Sequence, residues 1–452
     1  MVDGEHYPPV IEAALSDLRA SGHSLAGCVL VGGVEKIGPG GLTQLGGVPV
    51  ESGPDPLRLL ETSLVKLRPD AVLDLSDEPV LDYRRRHALA GVALSNGVSY
   101  KGADFTFSPP PRPHLTEKPS VAVIGTGKRT GKTAVAGFAA RALLDEGRRP
   151  IVVAMGRGGP PEPEILRGDQ ISLTPTQLLA LADSGRHAAS DYIEDALLAR
   201  VPTVGCRRCG GGLAGAVENS NVAQGIAMAN DLPGDILLLE GSGSAIPPAH
   251  ADATILVVPA TIPQEYLVGY MGLYRLLLSD TVVVTMCESP FGSPSRISSI
   301  VSSIQQSFRP KTKGEGAGGE IQVVRTVFRP TPTAPVDGAD VFVATTAPET
   351  AAESISSHLE RVHGCRVVGI THSLSDRTRL EAEIGALGGG ADILLCEVKA
   401  AGIDVATRRA LDGGLEVVYM DNAPCGIDGD DVTAAIVQAA ELADARYGEP
   451  TA

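Results

Sequence analysis

A glycine-rich turn between a strand and a helix constrains this chain more than any other part of its sequence. The run 120–124 predicts a buried strand, the run 132–146 predicts an Ala-rich helix, and Gly125-Thr-Gly-Lys-Arg-Thr-Gly-Lys-Thr133 joins them. Glycines let consecutive backbone N–H groups point into one concavity that suits phosphate oxygens, and the positive end of the helix dipole adds to it. This order of elements predicts a phosphate-binding loop in a parallel α/β sheet.

The turn predicts a site for ATP. Lys132 would reach the β- and γ-phosphates, and the hydroxyl of Thr133 would bind Mg²⁺. The alternative is a glycine-rich turn in which the lysines are incidental. We expect ATP to contact the following residues of the turn and the start of the helix: Gly125, Thr126, Gly127, Thr130, Gly131, Lys132, Thr133 and Ala134.

The spacing of the turn departs from the usual pattern. Lys132 follows Gly125 by one position more than usual, and Thr126 stands where a strict match would have Gly. This longer loop resembles the dethiobiotin synthetase branch of the P-loop enzymes. The extra basic residue, Lys128 or Arg129, could touch the γ-phosphate in its own subunit or in a partner subunit. We therefore expect Lys128, Arg129 and Lys132 to be catalytic.

A P-loop needs a carboxylate on the metal side at the end of another core strand. Asp235-Ile-Leu-Leu-Leu-Glu240-Gly-Ser-Gly243 supplies one, because four apolar residues bury the strand and Glu240 stands at its carboxyl end. Ligands gather at that end of open α/β sheets. We expect Glu240 to bind Mg²⁺, directly or through water. The alternative is a glutamate that caps a neighbouring helix.

The rest of the chain alternates strand-like and helix-like segments, which indicates an α/β fold with parallel sheets. Consecutive prolines near residue 113 break both patterns, and a polar, glycine-rich run at 311–320 predicts a surface loop. We predict a central P-loop domain over 114–325, flanked by α/β domains over 1–113 and 326–452. The role of the last domain stays open at this stage.

The charge balance excludes whole classes of partner. The chain has 452 residues with 38 Lys+Arg against 54 Asp+Glu, a formal net charge of −16. That balance argues against nucleic acid and anionic membranes, which need a broad positive field, but a small anionic ligand needs only a local cluster. The start lacks an apolar signal-peptide core and the seven cysteines are scattered, so we expect a reduced, cytoplasmic protein.

Short basic groups lie beside turns in these acidic surroundings. Arg157, after the second strand of the central domain, is a candidate catalytic residue and phosphate clamp. Arg207 and Arg208, with the amides of Gly210 and Gly211, would bind a phosphorylated substrate. Their flanking Cys206 and Cys209 also permit a zinc or redox interpretation, which we disfavour because no second Cys/His pair lies at ligand spacing.

Other basic residues are ambiguous. The run Arg84–Arg86 on a predicted helix fits a solvated surface, and also a second phosphate clamp. Lys399, Arg408 and Arg409 are similar candidates from the last domain. The segment 288–291 occupies a position suited to the adenine side of the site, although it carries no diagnostic motif.

Four segments together resemble the cyclic 2,3-diphosphoglycerate synthetase family: GTGKRTGKTAV (125–135), GRGGPPEPE (156–164), CRRCGGGLAG (206–215) and LLLEGSG (237–243). The length and the three-part organisation agree with it. The resemblance implies ATP-dependent closure of an intramolecular phosphoanhydride in 2,3-diphosphoglycerate, releasing ADP and phosphate. It also implies a small, anionic, phosphorylated substrate. Because related P-loop enzymes commonly dimerise, we expect a homodimer.

Two alternatives share the phosphate loop. A dethiobiotin or cobyrinate synthetase-like ligase would activate a carboxylate through an acyl phosphate, and would not need the paired arginines. A nucleotide-switched P-loop ATPase would hydrolyse ATP slowly and only with a partner, which leaves two flanking α/β domains without a purpose.

Overall fold

A computed structural model of the protein describes residues 1–33, 43–307, 321–387 and 389–448. The predicted surface loop at 311–320 lies outside these residues. The described chain is of mixed α/β class, and one large, mainly parallel sheet crosses its central and C-terminal parts. The predicted fold class is therefore confirmed.

The described residues of the N-terminal part, 1–33 and 43–113, form three helices and two small three-stranded sheets, β1-β3-β2 and β4-β5-β6. Its elements are α1 (Pro8–Ala20), β1 (Cys28–Val29), β2 (Gln44–Leu45), β3 (Val48–Glu51), α2 (Pro56–Leu67), β4 (Ala71–Leu73), α3 (Tyr83–Ser95), β5 (Ser99–Lys101) and β6 (Thr106–Phe107).

The central part begins with the strand that precedes the phosphate loop. Its elements are β7 (Ser120–Gly125), α4 (Lys132–Asp145), β8 (Pro150–Gly156), β9 (Glu164–Arg167), α5 (Pro175–Asp183), α6 (Asp191–Leu198), β10 (Pro202–Cys209), β11 (Asn219–Ser220), α7 (Val222–Asn230), β12 (Ile236–Glu240), β13 (Ala253–Pro259), α8 (Gln264–Val268), α9 (Gly272–Leu278), β14 (Thr281–Thr285), α10 (Pro294–Ser307) and β15 (Gln322–Pro332).

The C-terminal part repeats the alternation of strands and helices. Its elements are β16 (Asp340–Ala344), a 3₁₀-helix (Glu349–Ala351), α11 (Ala352–His363), β17 (Arg366–Thr371), α12 (Arg377–Gly385), β18 (Ile393–Glu397), a π-helix (Gly402–Thr407), α13 (Arg408–Asp412), β19 (Glu416–Gly426) and α14 (Val432–Arg446).

The large sheet has 13 strands in the order β11-β10-β8-β12-β7-β13-β14-β15-β19-β18-β16-β17, with β9 paired to β10. Strand β15 pairs in parallel with β14 and antiparallel with β19, so it joins the central strands to the C-terminal ones. The predicted domain boundary at 325 falls inside this strand. The C-terminal strands consequently extend the sheet that carries the phosphate loop.

Buried apolar runs explain the position of β7. All six of its residues are buried, as parallel strands covered on both faces require. Ala122 and Ile124 face a core shared with α3 and α9, whereas Val121 and Val123 face a core shared with α4 and α14. Two independent cores therefore hold the strand that ends at the loop.

The structure contains elements that the sequence pattern does not reveal. The run 264–279, whose apolar residues suit one helix, is divided into α8 and α9, because Gly269 leaves the helical conformation and Tyr270 has a left-handed φ of 41°. The longer strands β10 and β15 were not predicted. Arg207 and Arg208 accordingly lie on the last residues of a strand, and the turn begins at Gly210.

Candidate active site

The turn after β7 takes up left-handed backbone at two residues, Gly131 with φ 86° and Arg129 with φ 60°. A β-carbon built on Gly131 would lie 2.2 Å from Cζ of Phe328, which packs on the turn from β15. At Gly127, by contrast, a β-carbon would meet no atom within 4 Å. The turn is therefore supported from behind at Gly131 and open at Gly127, where a phosphate chain can approach the backbone.

The base of the turn is fixed by neighbouring strands. The hydroxyl of Thr285, at the end of β14, donates to the carbonyl oxygen of Thr130 at 2.7 Å. A β-carbon on Gly125 would come within 3.0 Å of Thr130 Oγ1 and 3.3 Å of the Gly243 oxygen. Close packing therefore requires glycine at position 125. Neither Gly125 nor Thr126, which were predicted to contact ATP, is among the described residues that line the cavity.

Lys132 and Glu240 form a buried ion pair. Because β12 lies next to β7, Glu240 stands beside Val123, and its Oε1 accepts a hydrogen bond from Lys132 Nζ at 2.5 Å. Burial lowers the pKa of Lys132, but the carboxylates of Glu240 and Asp191 outweigh it, so the pKa lies above its usual value. Glu240 Oε2 is buried and has no hydrogen-bond partner among the described residues.

A cavity of about 890 Å³ opens in front of the loop. Its lining includes Arg157 and every predicted site residue from Gly127 to Ala134. Lys128, Arg129 and Arg157 are exposed, and within the described part of the chain their side chains have no ion pair or hydrogen bond. Three uncompensated cations around one cavity favour a polyanionic ligand.

The loop that carries Arg157 is held to the end of β10. The side-chain amide of Asn221 donates to the carbonyl oxygens of Pro160 and Pro161 at 3.2 and 3.0 Å. Its oxygen accepts from the backbone N–H of Arg207 at 2.6 Å. Asn221 therefore fixes the loop so that Arg157 faces the cavity. No pattern in the sequence predicted this role for Asn221.

The predicted arginine pair divides into two different environments. Arg207 is exposed, whereas Arg208 is buried and donates to the carbonyl oxygens of Gly210 and, at 2.9 Å, Ser242. Burial, followed by the nearby charge of Arg157, lowers the pKa of Arg208. Arg207, Arg208, Gly210 and Gly211 do not belong to the described residues that line the cavity.

The acidic helix α6, which was not predicted to belong to the site, also lines the cavity. Asp191, Glu194 and Asp195 lie at positions i, i+3 and i+4 of α6. Burial raises the pKa of Glu194 to about 7, although Lys399 lowers it. Burial, and then the charge of Glu240, raise the pKa of Asp191 and Asp195. This spacing on one helix face was the available signal.

The C-terminal strands supply the far wall of the cavity. Glu397, at the end of β18, accepts hydrogen bonds from the hydroxyls of Thr345 and Thr346 at 2.5 and 2.6 Å and from the amide of Asn422 at 3.1 Å. Lys399 Nζ crosses to both carboxylate oxygens of Glu194 at 3.2 Å. The C-terminal part is thus joined to the phosphate-loop domain at the cavity itself.

The remaining candidates lie in different settings. Glu288 and Phe291 line the cavity, and Glu288 forms a two-pronged ion pair with Arg329 at 2.6 and 2.8 Å. No residue of 1–113 belongs to the described lining, so the run Arg84–Arg86 does not reach the cavity. Cys206 is buried and burial raises its pKa to about 12, as expected of a packing thiol.

Comparison with known proteins agrees with this geometry. Residues 120–313 match the profile "Cyclic 2,3-diphosphoglycerate synthetase, P-loop domain", and residues 1–108 and 332–423 match the N-terminal and C-terminal domains of the same family. The chain belongs to the cyclic 2,3-diphosphoglycerate synthetase family. The resemblance found in the sequence is therefore confirmed.

Relatives from this family match the chain along almost its full length. The cyclic 2,3-diphosphoglycerate synthetase of Methanothermobacter thermautotrophicus is 44% identical over 99% of this chain and 96% of its own. That of Rubrobacter xylanophilus is 45% identical over 95% of both chains. That of Methanothermus fervidus is 43% identical over 98% of this chain and 96% of its own.

Among solved structures, the crystal structure of LpxK from Aquifex aeolicus in complex with ATP is similar at a TM-score of 0.39 and 14% identity, over 73% of this chain and 90% of that one.

No helix in the described ranges is long and apolar enough to cross a membrane.

Proposed function

We propose that this protein uses ATP to close an intramolecular phosphoanhydride in 2,3-diphosphoglycerate, giving the cyclic product, ADP and phosphate. The observation that carries this function is the cavity: a phosphate loop with its Lys132–Glu240 pair, next to the uncompensated cations Lys128, Arg129 and Arg157. The substrate brings two phosphates and a carboxylate. Those charges match three cations that have no ion pair or hydrogen bond with any other residue that the structure describes.

The reaction divides into two phosphoryl transfers. In the first, an oxygen of one substrate phosphate attacks the γ-phosphorus of ATP, the bond to the β-phosphate oxygen breaks, and ADP leaves. In the second, the other substrate phosphate attacks the phosphorus that now bears the added group, and orthophosphate leaves as the ring closes. Phosphate oxygens are ionised near neutral pH, so the protein needs mainly to position them and to stabilise charge.

Each cation has a role in this scheme. Lys132 and the backbone from Gly127 to Gly131 would hold the β- and γ-phosphates of ATP. Lys128 and Arg129 would face the transferring phosphoryl group, and Arg157 would bind the acceptor phosphate. Each contact strengthens as negative charge spreads over the transferring oxygens, which is the condition for lowering the barrier.

The residues present fit a magnesium ion. Glu240 Oε2 is buried without a hydrogen-bond partner in the described chain, and Thr133 lines the same cavity. Among the described residues, no group of three or more His, Cys, Asp or Glu could hold a metal, which fits an ion bound largely by nucleotide oxygens and water. When bound, Mg²⁺ would neutralise charge on the β- and γ-phosphates.

The substrate-binding role predicted for Arg207, Arg208, Gly210 and Gly211 remains a prediction. Because Arg208 is buried and bonded to backbone oxygens, we propose that it acts by holding the segment at Ser242 and Gly243 beside Lys128. A β-carbon on Gly243 would lie 3.5 Å from Lys128 Cγ and 3.6 Å from Arg208 Nη2. The segment is therefore in contact with both side chains.

We also propose a cytoplasmic homodimer. All seven cysteines are free, which is typical of a reducing compartment. Tyr83 and Tyr266, at 45% and 56% exposure, form a surface patch with Tyr270, whose ring lies 5.6 and 5.2 Å from theirs. Exposed aromatic patches are enriched at protein interfaces. Sedimentation of the wild type and of a Tyr83→Ser/Tyr266→Ser variant tests the dimer and this face.

Phosphorus NMR of the purified protein with Mg-ATP and 2,3-diphosphoglycerate tests the reaction. We expect a cyclic pyrophosphate signal, with ADP and orthophosphate formed in equal amounts, and no signal from Lys132→Ala. Consumption of ATP without release of orthophosphate contradicts the two-step scheme. ATP hydrolysis that does not depend on 2,3-diphosphoglycerate favours the nucleotide switch, and acyl phosphate formation with a carboxylate substrate favours the ligase.

A further inference from the structure

We infer that Lys399 is a substrate-binding residue, which the C-terminal part supplies to hold a phosphate of the acceptor across the cavity from the phosphate loop. This inference rests on the synthetase function proposed above. It gives the C-terminal part a chemical role and selects Lys399 from the three ambiguous basic candidates, Lys399, Arg408 and Arg409, that the sequence offers there.

The charges on the C-terminal wall single out this side chain. The charged residues of that wall in the described lining are Glu397, Lys399 and Asp421. The carboxylate of Glu397 already accepts hydrogen bonds from two hydroxyls and an amide, and Asp421 forms an ion pair with Arg141 of α4. Lys399 is thus the cation that this wall can offer to an anion.

Lys399 has donor capacity left. Its Nζ lies 3.2 Å from both oxygens of Glu194, yet 42% of the side chain is exposed while only 13% of the Glu194 side chain is. An ammonium group has three donors, and one carboxylate on one side does not occupy them all. A phosphate oxygen entering from the cavity can therefore bond to Nζ without displacing Glu194.

The position of Lys399 agrees with a role beside the reacting phosphates. The carboxylate of Asp191 interacts electrostatically with both Lys132 and Lys399, so the two ammonium groups belong to one cluster of charges. Lys132 comes from the ATP side of that cluster, and Lys399 comes from the opposite wall. A substrate phosphate bound by Lys399 would lie on the acceptor side of the transferring group.

The backbone holds Lys399 in place. Its N–H donates to the carbonyl oxygen of Glu397 at 2.8 Å, and its own oxygen accepts from Ile403 at 2.9 Å. The π-helix Gly402–Thr407 follows directly and packs against α5 of the central part. Such short π-helical turns are rare and occur frequently at functional sites. This segment therefore presents Lys399 to the cavity with little freedom.

The competing explanation is a purely structural ion pair between the two parts of the protein, and a set of variants separates the two. In Lys399→Met the cation and the pair are both lost, whereas in Glu194→Gln the pair is weakened and the cation remains. A substrate contact predicts that K399M raises the KM for 2,3-diphosphoglycerate about ten- to a hundredfold, the loss expected for one charge-assisted hydrogen bond. The KM for ATP should change less than about twofold.

Glu194→Gln should not reproduce that rise in the KM for 2,3-diphosphoglycerate. Arg408→Met is the matched control, because Arg408 joins the same two parts through Asp183 away from the cavity, and it should leave both constants unchanged. Equal effects of K399M and E194Q, or an unchanged KM in K399M, overturn the inference.

If K399M does not fold, Lys399→Arg distinguishes a substrate contact from a purely structural ion pair. Arginine keeps the charge and the pair with Glu194 but moves the donors outward, so a structural pair predicts wild-type KM and a phosphate contact predicts a raised one. Wild-type protein that forms no ADP with 2,3-diphosphoglycerate contradicts the function itself. An active wild type with a normal KM in these variants contradicts only the role of Lys399.

Discussion

The ring of Phe328 lies against the α-carbon of Gly131, at the point where the phosphate loop enters its helix. Phe328 belongs to β15, the strand that joins the central and C-terminal parts of the large sheet. The loop that binds ATP is consequently packed against a residue beyond the predicted domain boundary. The two parts of the sheet are thus packed together at the phosphate loop.

Gly131→Ala should weaken ATP binding. The substitution forces an L-residue to adopt φ 86° and brings its β-carbon to 2.2 Å from the Phe328 ring. The left-handed backbone alone costs about 1–2 kcal/mol. With the clash added, we expect a loss of at least about tenfold in ATP affinity by calorimetry.

Adding Phe328→Ala separates the two causes. It removes the ring but leaves the strained φ, so the double variant should recover only part of the lost affinity. Gly127→Ala has open space for its β-carbon and serves as the matched glycine substitution for the fold. Unchanged ATP affinity in G131A would show that the loop conformation described here is not the one that binds nucleotide.

The Lys132–Glu240 pair makes a prediction about stability as well as turnover. Lys132→Met leaves Glu240 as a buried, uncompensated carboxylate, which costs about 3–5 kcal/mol of the free energy of unfolding. Adding Glu240→Gln should restore most of it, because the second change removes the orphaned charge. Urea denaturation of the two single variants and the double variant measures the coupling energy.

Turnover should not follow stability in this cycle. Both single variants and the double variant should lose at least about a hundredfold in kcat, since restoring the fold does not restore the contacts proposed for Lys132 with the phosphates and for Glu240 with Mg²⁺. A double variant that regains both stability and activity contradicts the assignment of Lys132 to the nucleotide.

Much of this fold follows from local sequence. Strands such as β7, β12, β13 and β14 are continuous apolar runs, and such runs are typical of parallel strands covered on both faces. Strand β15 escaped prediction because it is not a run of this kind. Its residues Arg325 and Arg329 pair with Asp430 and Glu288, which are both distant in sequence. Only the tertiary structure brings those partners together.

Among the predicted site residues, the structure brings together the loop residues from Gly127 to Thr133 and the strand-end Glu240. The loop from Gly127 to Thr133 and the carboxylate of Glu240 carry their chemistry in local spacing. In the sequence, Asp191 and Glu194 look like the acidic first turn of an ordinary helix, because their burial and the nearby charges of Glu240 and Lys399 come from distant segments. Burial of a helix face by other segments is not visible in single-sequence patterns.

Arg208 and Arg207 should respond differently to substitution. Arg208→Met removes donors from two backbone oxygens in a buried setting, so we expect a loss of about 2–4 kcal/mol in stability and a lower kcat. Arg207→Ala changes an exposed side chain and should alter stability by less than about 0.5 kcal/mol. Thermal denaturation and steady-state kinetics on both variants check this.

The kinetic constants also distinguish the two roles assigned to this pair. If both arginines bind the substrate, as the sequence pattern predicts, each variant raises the KM for 2,3-diphosphoglycerate. If Arg208 holds the Ser242–Gly243 segment, only R208M is affected, and mainly in kcat. A stable R208M protein with wild-type kcat contradicts the positioning role.

Glu194 should make the stability of the protein depend on pH between about 5 and 8. Burial raises its pKa from 4.5 to about 7, against the attraction of Lys399 and with the repulsion of Asp191 and Asp421. A raised carboxyl pKa means that the folded state binds the proton more tightly than the unfolded chain does. The stabilising contribution of the neutral carboxyl is therefore complete below pH 4.5 and is lost as the pH rises through 7.

Glu194→Gln isolates this contribution, because the amide mimics the neutral carboxyl at every pH. The free energy of unfolding of the wild type, minus that of E194Q, should fall by on the order of 3 kcal/mol between about pH 4.5 and 8. Asp191 and Asp195 also have raised pKa values, but the wild type and E194Q both retain them. Subtracting one free energy of unfolding from the other therefore removes most of their effect. Parallel pH profiles for the two proteins would show that Glu194 stays ionised in the folded state, paired with Lys399 throughout.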